Sequence, residues 1–497
     1  MVDRVRSWME SHPLAVLLLI ALVLRLINLD GRSFQYDDTF SFFLARRSLP
    51  EIVNGTAADT MPPLFYFLLH FWQLLGDSSW WMRLLSVLLN LATLAMFYLL
   101  VRRWLGAWPA IWAALFASVS PLQIYHAQDV RMYSLLVFGQ MGYLWFFSRL
   151  WLDRERTTRT PMDWAGLVVF GIIAMYSHNL AIFALVVPNL FLLFHRDWKG
   201  QASLIAAQAL IGFGSLPWLL MIPGQIVKIQ RAFWTPPPGA AEIIQALVMF
   251  HAALPLPVIL LVSALFFSVL VLVFASLVLW RRARREVGVS FLLLALLVPP
   301  VLLFIVSYLM RPVFVPRGFL ISSLAYYGLI GTAVSVAWKQ GPGKLIAGVF
   351  VVCALVTLPY HYWFESFPRS PYQEMVQYLT TQAQPTDCII HETKLSYFPA
   401  HYYQPDLPQV FLADVPGSPN DTYAAASQQA MQIFPQPDLE LAVDNADTVY
   451  FITFTQTFNE YQEMGLAEHP NLAWLNDHFT LAGKQVFNDL EVYRYTR

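Results

Sequence analysis

Charge is scarce in this sequence. Of 497 residues only 13% are Asp, Glu, Lys or Arg, while 57% are hydrophobic and the mean hydropathy is +0.51. A soluble fold of this length has too little interior to hide that much apolar surface. A basic surplus is missing as well: 31 Lys and Arg stand against 32 Asp and Glu. Nothing here neutralises a phosphate backbone, so no nucleic-acid partner is expected. Two cysteines, Cys353 and Cys388, are too few for a disulfide framework or a thiolate metal cluster. No internal repeat and no low-complexity tract is present.

What the chain does have is long apolar runs. The first, Leu14 to Ile27, follows Arg4 and Arg6 and superficially resembles a secretory signal, but no small-residue cleavage site follows it. Arg25 and Asn28 lead instead into a polar loop, so the run reads as a retained first span. Further segments fall at about 80–101, 107–124, 131–152, 164–177, 180–194, 201–222, 258–280, 289–309, 319–338 and 345–363, which makes eleven. Short cytoplasmic loops collect Lys and Arg. With eleven spans the clusters Arg4/Arg6, Arg102/Arg103, Arg154/Arg156/Arg159, Arg196/Lys199, Arg281/Arg282/Arg284/Arg285 and Lys339/Lys344 all fall on one side, with the amino terminus cytoplasmic.

That sidedness decides an ambiguous stretch. Counting Met61 to Leu75 as a span would put Arg102 and Arg103 outside, so this stretch and the amphipathic Thr39 to Val53 read as helices in the outer interface of a cell membrane. The short segments 164–177 and 180–194 meet at His178 and Asn179, a joint expected inside protein rather than in lipid. The expected fold is therefore a polytopic α-helical membrane domain over 1–364. After Tyr362 the composition turns to Pro, Gln, Asp and Thr, and an α/β extracytoplasmic domain is expected over 365–497. Its elements read as helix 371–383, strand 387–391, helix 395–403, strand 409–413, helix 422–433, strand 447–453, helix 458–468, and strands 476–482 and 486–494.

Polar residues that resist this apolar background are the candidates for chemistry. Asp37 and Asp38 follow the first span; paired carboxylates at a membrane surface suit a general base or a cation site, and a solvated loop pair is the simpler alternative. The second outer loop, His126-Ala127-Gln128-Asp129-Val130-Arg131-Met132-Tyr133, holds Asp129, Arg131 and Tyr133 at the same surface, where an Asp129–Arg131 ion pair is the bland alternative. Arg311 and Arg317 flank Pro312 and Pro316 on the side where arginine is disfavoured; Arg317 suits a phosphate, and headgroup anchoring accounts equally for Arg311. His178 sits at the joint as a ligand or a hydrogen-bonded core residue, while His12, His70, His251 and His361 show no constellation. In the tail His391, Glu392 and His401 are scattered, with His391 or Glu392 the residues that would contribute to binding.

Four motifs carry a resemblance: Tyr36-Asp37-Asp38, Asp59-Thr60-Met61-Pro62-Pro63-Leu64-Phe65-Tyr66, Gln128-Asp129-Val130-Arg131-Met132-Tyr133 and Pro316-Arg317-Gly318. Over about residues 14–340 the chain resembles the C-type (GT-C) membrane glycosyltransferases that include protein O-mannosyltransferases and the lipid A aminoarabinose transferase. The resemblance implies transfer of a sugar from a polyprenyl-phosphate carrier to a lipid, glycan or protein acceptor on the outer face, with inversion at the anomeric carbon, in an enzyme surrounded by membrane lipids. It implies Asp37 as base with Asp38 beside it, and Arg131 and Arg317 on the leaving phosphate. Asp59, Tyr133 and His178 would line the substrate site. Asp38 and Asp129 would orient the acceptor or hold a divalent cation, Mg or Mn. Asp38 stands where the family usually has Glu, Gly318 where it often has Tyr, and Asp129 where it often has Glu. Another class of function, a lipid or glycan transporter or flippase of the cell envelope, calls for polar residues at mid-membrane depth on several spans.

Overall fold

The computed structural model describes residues 12–152, 160–231, 235, 237–310, 312–416, 418, 420–443, 446–463, 465–466 and 468–497. They form two compact units, 1–29 with 56–362, and 30–55 with 363–497. The segment 30–55, which composition alone gives to the membrane part, thus clusters with the carboxy-terminal one.

The first unit is helical and apolar on its outside. Among the described residues five helices are long and apolar enough to cross a bilayer, Ser79–Leu105, Val258–Leu279, Val287–Leu309, Pro316–Val336 and Pro342–Trp363, or seven if each of two bent pairs counts once. Eleven were expected, but helices such as Pro13–Leu26, Pro161–Ser177 and Ala181–Phe194 are short for a span. The expected single span 107–124 is two helices, Ala107–Val119 and Pro121–Ala127, bent by 59° at Ser120. Pro121 cannot continue the backbone ladder, and the Ser120 hydroxyl accepts the Gln123 N–H to start the second helix. The other pair, Trp198–Gly214 and Leu216–Ile226, bends by 69°. Val258, Ile259, Val262, Phe266 and Leu277 all face outward on one helix, an arrangement that lipid accommodates and water does not.

Small residues set the packing inside this unit. Helix Leu320–Val336 is buried on nearly every face, and a Cβ on Gly331 would stand 2.6 Å from the Ala113 nitrogen. Only glycine lets those two backbones come so close. Arg25, expected to lead into a loop, lies instead in the last turn of Pro13–Leu26 and is 1% exposed. Its guanidinium donates to Asn90 Oδ1 at 2.8 Å and to the Ser118 and Ala21 carbonyls at 3.0 Å. Asn90 in turn donates to Gln123, and Gln123 to the Ser323 hydroxyl at 2.9 Å. Five helices are joined by these buried, paired polar groups, which is what such groups need in an apolar interior.

The second unit carries a five-stranded sheet in the order β2-β1-β3-β5-β4: β1 Cys388–His391, β2 Gln409–Phe411, β3 Thr448–Phe454, β4 Thr480–Phe487 and β5 Leu490–Thr496. β1 is parallel to β2 and β3, and β5 is antiparallel to β3 and β4. Period-two alternation sends Ile389, Tyr450, Ile452 and Val492 to one core with helix Tyr372–Gln382, and Ile390, Val449, Phe451 and Tyr493 to the other with helix Pro470–His478. That last helix replaces the beginning of the strand expected over 476–482: Pro470 presets its first turn, and Leu472 and Leu475, three apart, both face the core. The helix expected over 458–468 runs Thr455–Glu463, with Gly465 at φ +82 just beyond its end.

Burial also makes this unit sensitive to pH. His391 is fully buried against Ser396 and Gln409, and loss of hydration pushes its pKa down to about 3. The folded state then holds fewer protons than the unfolded one between about 6.5 and about 3. Stability from this group is complete above the unfolded value and falls on acidification, by about 1.4 kcal/mol per pH unit inside that window. Hydrogen-exchange protection of the β1 amides in the full-length protein should follow this slope, and His391→Gln should flatten it.

Candidate active site

Each unit holds part of the expected set. In the second unit Asp37 and Asp38 are in the first turn of helix Tyr36–Ala45. Adjacent helical positions diverge by about 100°, so the two carboxylates face different surroundings. Asp38 is 3% exposed, and its Oδ2 accepts the Gln35 N–H at 3.1 Å as half of a capping box. Asp37 is only partly buried. The single amphipathic helix expected over Thr39 to Val53 is two, Tyr36–Ala45 and Leu49–Asp59, the second opened by the Ser48 hydroxyl bonded to Glu51 at 2.6 Å.

An aromatic cluster holds the Asp37 helix in place. Phe398 of helix Lys394–Tyr403 meets Tyr36 edge-on at 5.2 Å and Phe43 at 5.8 Å, Tyr402 meets Phe34 and Phe42 at 4.8 Å, and the Tyr403 hydroxyl accepts the Phe34 N–H at 2.7 Å. The α/β unit therefore fixes where Asp37 stands. Phe398→Leu should cost about 1 kcal/mol, read as faster amide exchange across Tyr36–Ala45.

In the first unit the loop between helices Pro121–Ala127 and Tyr133–Phe147 is anchored from both sides. Ser134 bonds the His126 carbonyl at 3.0 Å, Gln128 donates to the Arg25 and Ile27 carbonyls, and His361 Nε2 lies 2.8 Å from Gln128 Oε1. Arg131 is buried, with Nη1 donating to the Tyr66 hydroxyl at 3.3 Å. Asp129 Oδ2 lies 3.3 Å from His126 Nδ1, close enough for charge pairing but not aligned as a hydrogen bond. Tyr133 is at the centre: its ring has His126 at 5.0 Å, His178 at 5.9 Å and the Arg317 guanidinium at 5.7 Å. Its buried hydroxyl has no partner among the described residues.

His178 Nδ1 accepts the Leu180 N–H at 3.1 Å, so the neutral ring carries its proton on Nε2. Arg317 comes from the turn Pro316–Phe319, where a Cβ on Gly318 would stand 2.6 Å from the end of the Leu303 side chain, a contact that this flexible side chain can relieve. Arg311 lies outside the described residues. Asp59 ends helix Leu49–Asp59, and Thr60 after it takes φ +72. Asn179 Nδ2 bonds the Thr60 carbonyl at 3.1 Å and Gln225 the Ala57 carbonyl at 3.2 Å, fixing that strained corner. The sequence reading passed over Tyr66, Gln128, Asn179, Gln225 and His361. Tyr66, Gln128 and Asn179 stand in quoted motifs or beside His178, whereas nothing local to Gln225 or His361 signals a partner.

Buried Arg131, half-buried Arg317, Tyr133 and two imidazoles gather cationic and hydrogen-bonding groups suited to an oxyanion. Among the described residues no three His, Cys, Asp or Glu side chains converge as a metal-holding group. The long apolar helices define a class, an integral membrane protein with a helical fold. Residues 60–220 match the family described as dolichyl-phosphate-mannose-protein mannosyltransferase. The whole chain is similar in structure to ArnT from Cupriavidus metallidurans bound to undecaprenyl phosphate, at TM-score 0.60 and 13% identity over 97% of both chains. It is also similar to the archaeal oligosaccharyltransferase AglB from Archaeoglobus fulgidus in complex with an inhibitory peptide and a dolichol-phosphate, at TM-score 0.51 and 12% identity, covering 89% of this chain and 70% of that one. No curated protein sequence matches the chain. The resemblance to polyprenyl-phosphate-dependent glycosyltransferases rests on these findings together with the four motifs.

Proposed function

We propose that this protein transfers a sugar from a polyprenyl-phosphate carrier to an acceptor at the outer face of the cell membrane, with inversion. The observation that carries the reading is the Arg317 guanidinium over the Tyr133 ring beside His178, with Arg131 buried two residues before Tyr133 on the Tyr66 hydroxyl, in an apolar helical unit. Charged side chains within a membrane unit are costly unless they are paired, hydrogen-bonded or engaged by a charged ligand such as a phosphate. Asp37 takes the acceptor proton as the acceptor oxygen attacks the anomeric carbon, and the carrier phosphate leaves with the bond electrons. Arg131 and Arg317 stabilise the charge that develops on that phosphate. Tyr133, His178 and Asp59 line the donor, and Asp38 and Asp129 orient the acceptor. No step is routed through a divalent cation, because Asp38 and Asp129 belong to no metal-holding group among the described residues.

Eleven spans, a cytoplasmic amino terminus and an extracytoplasmic domain over 365–497 complete the proposal. Cysteine-accessibility labelling at introduced sites near Lys339 and near Asp387 would read that sidedness: only the second should react from outside. The transfer itself is tested by giving the purified protein in liposomes a panel of polyprenyl-phosphate sugars and identifying products by mass spectrometry, with the anomeric configuration read by NMR. Products of retained configuration would refute the single-displacement step. Uptake of a labelled carrier lipid without transfer would favour the transporter reading.

A further inference from the structure

The sheet of the second unit has a topological switch. The chain leaves β1 through helix Lys394–Tyr403, which packs on one face, and leaves β3 through helices Thr455–Glu463 and Pro470–His478, the second of which packs on the other. The two connections diverge outside the carboxyl ends of β1 and β3, the place where open α/β sheets open a crevice for ligands.

Polar groups are concentrated there. Glu392 follows β1 directly, and its N–H is paired with the Ile452 carbonyl of β3. Its carboxylate accepts the Thr453 hydroxyl and, at 3.3 Å, the Tyr461 hydroxyl. Thr453 faces Glu491 across the β3–β5 pair, and Glu491 accepts Tyr493 at 2.6 Å and Thr455 at 3.3 Å, with Lys484 Nζ 2.9 Å away. Both carboxylates are more than nine-tenths buried, a costly placement for a fold whose two hydrophobic cores are complete without them. His469 is 4% exposed with Nε2 3.0 Å from Glu392 Oε1, yet not aligned as a hydrogen bond, and its Nδ1 has no partner among the described residues.

What covers this cluster is loosely attached. Helix Thr455–Glu463 has no buried residue. It rests on Tyr461, whose ring lies 4.8 Å from His469, and on Phe458, whose ring lies 5.3 Å from His469 and 6.5 Å from Tyr493. Two carboxylate acceptors, an imidazole and several hydroxyls, with aromatic rings beside them, match a ring that presents hydroxyls at its edge and C–H groups on its face. A metal ion does not match, since no three acidic or imidazole groups converge among the described residues.

We propose that the polar cluster at the carboxyl ends of β1 and β3 binds a single pyranose residue, with Glu392 and Glu491 accepting its hydroxyls and helix Thr455–Glu463 opening to admit it and closing over it. The site is independent of the transfer reading. Full-length protein in lauryldimethylamine oxide, a detergent without a sugar headgroup, is titrated with methyl α-D-mannopyranoside, methyl α-D-glucopyranoside and methyl β-D-galactopyranoside. Saturable heat with at least one of them is expected, together with slower amide exchange in Thr455–Glu463. Glu392→Gln should weaken binding about tenfold, the equivalent of one charged hydrogen bond. Tyr461→Phe, on the exposed helix, is the variant that keeps the fold and should weaken binding a few-fold. Asp37→Asn should bind like the wild type. The proposal fails if none of the three pyranosides binds saturably, if Glu392→Gln and Tyr461→Phe both bind normally, or if binding is lost in Asp37→Asn, which would place the sugar in the transfer site.

Discussion

Asp37→Asn should lower the rate of sugar transfer by about 10²- to 10⁴-fold while leaving insertion and folding intact. The amide keeps the size of the carboxylate and the first-turn position in helix Tyr36–Ala45, so the cap made by Asp38 to the Gln35 N–H is undisturbed. What it loses is the ability to take a proton. The loss should therefore appear in kcat, with the Michaelis constant for the carrier unchanged, because the carrier phosphate is assigned to groups of the other unit. Near-normal turnover would remove Asp37 as the base. Asp38→Asn is the informative companion: an amide oxygen still accepts the Gln35 N–H, so the helix should survive, and a rate effect comparable to that of Asp37→Asn would reverse the assignment of the two.

Arg131→Met should cost about 10²- to 10³-fold in the same assay, the scale of removing one preorganised donor to a developing oxyanion. Methionine fills much of the buried volume next to Tyr66 without its charge or its hydrogen bond. Arg131→Lys tests geometry as distinct from charge. An ammonium has no planar fork for two phosphate oxygens, so lysine should recover only part of the rate. Salt adds a further check, because a buried arginine is screened far less than a surface one. A loss confined to carrier affinity, with kcat unchanged, for Arg131→Met would mean that the residue binds the ground state as tightly as the transition state.

Much of this was legible in the sequence because apolar background makes polar residues conspicuous. Asp129, Arg131, Tyr133, His178 and Arg317 stood out against long hydrophobic runs, and three of them do meet around the Tyr133 ring. The arginines at 102 and 103 argued against a span over Met61 to Leu75, where the chain has a ten-residue helix, Leu64–Gln73. Other features were hidden for physical reasons. Arg25 looked like a loop charge because nothing nearby in sequence pairs with it; its partners Asn90 and Ser118 are contributed by other helices. The break at Ser120 was missed because apolar composition runs straight through Pro121. The docking of Phe34, Tyr36 and Phe43 on Phe398 and Tyr402 was beyond reach, since aromatic residues some 360 positions apart carry no periodicity that links them. Glu392 was seen and judged isolated, because His469 and Glu491 come to it only when β1, β3 and β5 pair.

The buried chain from Arg25 through Asn90 and Gln123 to Ser323 bears on the competing class of function. A transporter needs polar groups at mid-membrane depth on several spans; this chain has buried polar groups on several helices. They are, however, hydrogen-bonded across five helices, as a fixed strut requires and a moving pathway does not.

The most direct measurement of the central claim is a single-turnover reaction of purified protein with a labelled polyprenyl-phosphate sugar and a mixture of lipid, glycan and peptide acceptors. The account predicts that label leaves the lipid for an acceptor with stoichiometric release of free polyprenyl phosphate, and that Asp37→Asn and Arg131→Met both stop it. Label that stays on the lipid with every donor and acceptor, or that moves equally well in both variants, would contradict it.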